Sequence, residues 1–157
     1  SIIMKSLVAY YSRTNITKKL AEDILSRADL IISYVEKVEK RSPETISEYN
    51  EKLLSRMREL LGDANVDEQR LLTEAAIFAD KIAVAEETVR LRSHIDQLRE
   101  MTVADEPIGR KMDFLVQEIN REANTIGSKA NDIEIARVVI EIKAEVEKIR
   151  EQVQNIE

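Results

Sequence analysis

Two stretches of this sequence concentrate side chains able to do chemistry. In "AEETVRLRSHID", residues 85–96, Glu87, Arg90 and His94 stand at i, i+3 and i+7, on one face of one helix, with Glu86 beside them. His94 is the only histidine in the chain. An imidazole titrates near neutrality, which suits a metal ligand or a general acid or base. A surface or packing histidine is the plainer reading of the same residue.

The second stretch is "MDFLVQEINREANTIGSKAND", residues 112–132. Met112, Leu115, Val116, Ile119 and Ala123 form an apolar stripe, while Asp113, Gln117, Asn120 and Asn124 recur at spacings of four, three and four beside it. Asparagine is a mediocre helix former, so a helix that uses it repeatedly gives up stability without filling a core. Amides can hydrogen-bond base edges, sugar hydroxyls or metal-bound water. Glu118 and Glu122, one turn apart, could share a hard divalent cation, and Arg110, Lys111, Arg121 and Lys129 could contact phosphates. For the carboxylates alone, an ordinary solvated face with charge pairs is the plainer reading.

The elements that must position these residues follow from composition and pattern. The chain has 157 residues, 43% apolar and 34% charged, with 4% aromatics, three Gly and two Pro. That leaves little material for turns and strands and predicts an all-α fold: a bundle of long antiparallel helices with a short strand-like segment at the front. Without cysteine there is no disulfide framework, thiolate metal site or cysteine nucleophile, and a reducing cytoplasm is the natural setting. The net charge of -6 argues against a uniformly basic nucleic-acid coat while leaving room for a local basic patch. No apolar run is long enough to cross a bilayer, no secretory signal opens the chain, and no Walker loop, GxSxG elbow, HExxH or EF-hand loop occurs.

Along the chain, "SLVAYY" at 6–11 reads as a short strand and a helical stripe runs from about Thr17 to Arg41. Ser42 and Pro43 then read as the start of a second helix that stops at Gly62, and Asp67 as the cap of a third. A kink or break is expected within 80–84, a helix from there to about Met101, and another opened by Pro107 and interrupted at Gly127. Ser128 or Asn131 can cap the last helix. There Ile135, Val139, Ile142, Val146, Ile149, Val153 and Ile156 form a heptad seam, which an intramolecular bundle would bury.

"IAVAEETVRLRSHIDQL", "PIGRKMDFLVQEINREANTIGSKAND" and "EIKAEVEKIREQVQNIE" together resemble the C-terminal domain of the YicC family of bacterial proteins, from about Asp23 to the last residue. The resemblance implies a cytoplasmic, metal-dependent endoribonuclease acting on RNA and assembling as a homo-oligomer, a ring-like hexamer in the family. Its signature positions fall on Glu86, Glu87, Arg90 and His94, then on Gly109, Arg110, Asp113, Phe114, Gln117, Glu118, Asn120, Arg121, Glu122, Asn124 and Lys129. On this reading Glu87, His94, Glu118 and Glu122 are the catalytic residues, and Glu118, Glu122 and His94 would hold a divalent metal, Mn or Mg. Arg90, Arg110, Lys111, Gln117, Asn120, Arg121, Asn124 and Lys129 would contact RNA. The alternative is a non-catalytic helical assembly or RNA-binding module, whose signature residues form a polar interface.

Residues 1–22 stand apart from that domain at 23–157. "MKSLVAYYSRTNITKKLAE" resembles the first strand and phosphate loop of a flavodoxin, but the loop lacks its usual Gly and no further strand–helix units follow. FMN binding is therefore not expected.

Overall fold

The structure is a computed structural model describing residues 17–62, 67–104 and 109–155. The strand-like 6–11 segment, Pro107 and Ile156 lie outside the described residues. Those described form helices joined by turns, in the order α1 (Lys18–Leu61), α2 (Glu68–Ile82), α3 (Ala85–Thr102), α4 (Gly109–Lys129) and α5 (Ile133–Gln154). None is long and apolar enough to cross a membrane.

Thr17 starts α1 by accepting the Leu20 N–H on its hydroxyl at 3.1 Å. The helix then runs through Pro43, and the separate helix expected from Ser42 does not form. A proline inside a helix removes an N–H and crowds the carbonyl four residues back, at a cost of about 3 kcal/mol. Opposing that, the buried stripe of Val35, Val38, Ser42 and Thr45 crosses the proline without a break. Arg41, just before it, also bonds both oxygens of Glu48, seven residues further along the helix, at 2.8 and 3.0 Å. The division at residue 22/23 likewise falls inside α1.

Gly62 closes α1 at φ 54°, donating its N–H to the Arg58 carbonyl at 3.1 Å. Asp67 caps α2, and the expected break in 80–84 falls at Ala83 and Val84, where the backbone leaves helical geometry. Gly127 does not interrupt α4. A Cβ there would sit 3.3 Å from Val139 Cγ1, so its absence lets α4 and α5 approach closely while the helix continues to Lys129. The capping of α5 differs from both candidates: Asn131 takes a left-handed conformation, φ 47°, and Asp132 accepts the Ile135 N–H at 3.1 Å.

Ion pairs fix the helix directions. Arg27 with Glu145 and Arg41 with Asp132 run α1 antiparallel to α5, Glu39 with Arg92 and Asp29 with Arg99 run it antiparallel to α3, and the short turn at 130–132 folds α5 back on α4. The result is a four-helix ring, α1–α3–α4–α5, in which neighbours alternate in direction. Ile24, Ile31, Leu91, Ile95, Met112 and Ile119 are among the side chains filling its centre. The heptad seam from Ile135 to Val153 is buried at every described position, so it faces partners within this chain.

Beyond Thr45, α1 leaves the bundle and pairs with α2 as an arm. Tyr49 and Phe78 stack there with ring centroids 3.4 Å apart, and Ile82 alone among the α2 residues is buried.

Candidate functional site

The two polar stretches found in the sequence meet along the seam between α3 and α4. Glu87 Oε1 accepts from Lys129 Nζ at 2.8 Å, and one turn further along α3, Arg90 Nε donates to Glu122 Oε1 at 2.8 Å. Advancing on α3 while retreating on α4 is the signature of an antiparallel pair. The same register carries His94, one turn past Arg90, toward the level of Glu118, one turn before Glu122.

Burial orders this group in depth. The Glu87 and Glu122 side chains are 5% and 9% exposed, whereas those of Arg90 and Lys129 are 48% and 32% exposed. The anions therefore lie behind and the cations in front. Burial pushes the Glu87 carboxyl up, but the Lys129 ammonium, a backbone N–H and the Arg90 charge outweigh it and hold the group below the usual carboxylate range. The bond to Glu122, working against desolvation, raises the Arg90 guanidinium above its ordinary value. Arg90 reaches Glu87 and the exposed Glu86 only at 3.7 Å, so Nε makes its one close contact. Two buried atoms on α3 lack a hydrogen-bond partner, Glu87 Oε2 and His94 Nδ1.

The amide stripe lies round the helix from this seam. Gln117 and Asn124 are exposed and Asn120 and Asp113 half-buried, with Gln117 Nε2 donating to Asp113 at 3.3 Å. Arg110, Lys111 and Arg121 are exposed on the same helix, and Glu118, half-buried, stands 3.9 Å from Arg121. Phe114, 60% exposed, sits among these polar groups.

Among the described residues no group of three or more His, Asp or Glu side chains is placed to hold a metal ion. Glu122, one of the three expected ligands, has Arg90 as its close partner. Sequence reasoning named every member of the seam quartet but assigned Arg90 and Lys129 to phosphate and Glu122 to metal. Nothing in the spacing announces that each cation is already matched to a buried anion across the seam.

The model of the family described as "Endoribonuclease YicC-like, C-terminal" matches residues 38–157. The chain belongs to this family. It is 55% identical over 141 residues to a protein of Clostridioides difficile (strain 630) named "Probable endoribonuclease YicC", and 36% identical over 140 residues to one of the same name from Haemophilus influenzae (strain ATCC 51907 / DSM 11121 / KW20 / Rd). Both alignments cover 89% of this chain and 48% of the relative, so the chain spans about half the length of the curated YicC relatives it matches. Both polar stretches and the heptad helix lie inside the segment matched by the YicC-like C-terminal model.

Proposed function

We propose that this chain is the helical C-terminal part of a YicC-type endoribonuclease and that it presents the α3–α4 seam, with the adjoining amide face, to RNA. The observation that carries this reading is the direct pairing of the two polar stretches, Glu87 with Lys129 and Arg90 with Glu122, in a chain of this family. Arg90, Lys129, Arg110, Lys111 and Arg121 supply phosphate contacts. Gln117, Asn120 and Asn124 supply hydrogen bonds to sugars or bases, and the exposed Phe114 ring supplies a stacking face. His94, the one imidazole in the sequence, is the group this reading assigns to proton transfer during phosphodiester cleavage.

A divalent cation, Mn or Mg, is the cofactor this reading carries with it. The described residues do not gather a ligand set for one, and Glu122 is turned to Arg90. A homo-oligomer acting on RNA in the cytoplasm completes the proposal, with the hexamer as its form. Incubating 5′-labelled RNA with the chain in Mn, in Mg and in EDTA tests it: metal-dependent internal cleavage that Arg90→Ala and His94→Ala each reduce at least tenfold is the expected result. RNA binding without cleavage under every condition favours the second reading, a non-catalytic RNA-binding or assembly module, to which the charge-paired seam lends support.

A further inference from the structure

We propose that Glu87 and Glu122 are positioning residues that hold Lys129 and Arg90 at the α3–α4 seam as an RNA phosphate clamp, rather than metal ligands. This inference rests on the RNA-binding reading above and gives two of its residues a different task.

Geometry supports the assignment first. Each carboxylate has one cation at 2.8 Å, and the two pairs lie one helical turn apart on α3, so the cations are neighbours along the seam. A carboxylate committed at that distance to an ammonium or guanidinium presents a poor site to a divalent ion, which would have to displace the cation and then find further oxygen ligands. No such group of ligands stands among the described residues.

Depth supports it second. The anions are almost wholly covered while about half of the Arg90 side chain and a third of Lys129 reach solvent. A long side chain free in water gives up rotamer entropy when it grips a phosphate, and a fixed anion behind it removes part of that cost in advance. Nε of Arg90 is the atom used to anchor it, which leaves the terminal nitrogens, with only longer contacts at 3.7 Å, to face a phosphate oxygen. The exposed Glu86 beside them is the one group a phosphate must push aside.

A third observation separates this quartet from a simple surface ion pair. Glu87 Oε2 is buried without a partner, a condition that costs free energy and that an exposed pair would not tolerate by choice. Glu87 is thus kept charged in the seam with half of its accepting capacity unused, as a group retained for the charge it supplies to Lys129.

The test is equilibrium binding of a fluorescent single-stranded RNA to the whole chain in EDTA across a salt series, with Mn affinity measured separately by calorimetry. Glu122→Gln, which keeps shape and removes charge, should weaken RNA binding about five- to tenfold and lower the salt slope by about one, as Arg90→Ala does. The double variant should bind no worse than Arg90→Ala alone, because Glu122 acts through Arg90. Arg90→Lys, which keeps the charge and loses the Nε anchor, should fall between Arg90→Ala and the unsubstituted protein, and Mn affinity should not change in any of these variants. A Glu122→Gln chain that binds RNA in EDTA like the unsubstituted protein, or that loses Mn affinity, overturns the inference alone. An unsubstituted chain that binds no RNA removes the RNA reading and the clamp with it.

Discussion

Arg41 grips Asp132 through two N–H···O bonds, 3.2 and 3.1 Å long, across 91 residues of sequence. The same Asp132 carboxylate accepts the Ile135 N–H and so starts α5. One side chain thus joins the middle of α1 to the first turn of α5. Asp132→Ala should cost about 1–2 kcal/mol from the lost cap alone, and more once Arg41 loses one of its carboxylate partners, Glu48 remaining. Asp132→Ser restores a cap without the charge. Urea unfolding of the three proteins separates the two parts, and a serine variant as stable as the parent would mean that the Arg41 pair contributes nothing.

Acid should weaken the bundle in a defined direction. Glu87 and Asp132 both titrate below their ordinary values, Glu87 because its cationic neighbours overcome burial and Asp132 chiefly through Arg41. The unfolded chain therefore takes up their protons first as pH drops. Their stabilisation is complete above the unfolded carboxylate range, about pH 4–4.5, and is lost as pH falls through the lower folded values. Melting temperature measured from pH 7 down to pH 3 should hold nearly level and then fall. Lys129→Met should shrink the acid-sensitive part, and an identical acid profile in that variant would contradict the assigned cause.

Val146 lies in the heptad seam and is 3% exposed. Val146→Asp places a carboxylate in a core with no partner, a penalty of several kcal/mol against a typical domain stability of about 5–15 kcal/mol. The variant should lose its cooperative thermal transition. A soluble Val146→Asp chain with the parent melting temperature would show that the seam is not closed as described.

Phe114 tests the RNA-facing surface without touching the core. Its ring is 60% exposed, so Phe114→Ala should leave the melting temperature within a degree or two. Base stacking contributes about 1–3 kcal/mol, so affinity for single-stranded RNA should drop about tenfold or more. Phe114→Trp should retain it, and equal affinity in the alanine variant would count against stacking at this position.

Much of this architecture was legible from periodicity. The seam on α5 and the break at Ala83 and Val84 follow from where apolar residues repeat and where they stop, and the antiparallel pairing of α3 with α4 from the short connection between them. Pro43 and Gly127 misled because local rules weigh a residue alone. The first is overridden by a buried stripe continuous on both sides of it, the second by Val139 on a different helix. At the candidate site the residue identities were readable and their partners were not. Whether Glu122 meets a metal or a guanidinium depends on the axial register of two helices, and spacing within either helix carries no information about that offset.

Because α1 belongs to both the bundle and the arm, Pro43 stands near the point where one continuous helix passes from the first to the second. The α2–α3 break at Ala83 and Val84 lies where the other side of the arm joins the bundle, so both connections of the arm meet the bundle at that junction. From Ile46 to Leu61 the arm extends roughly 24 Å at 1.5 Å per residue, so a bend of about 10° at the proline displaces its tip by roughly 4 Å. A helix transmits such a tilt along its length far more readily than a loop would. Leu61 is thus joined through one helix to Arg41, and through Asp132 to the first turn of α5.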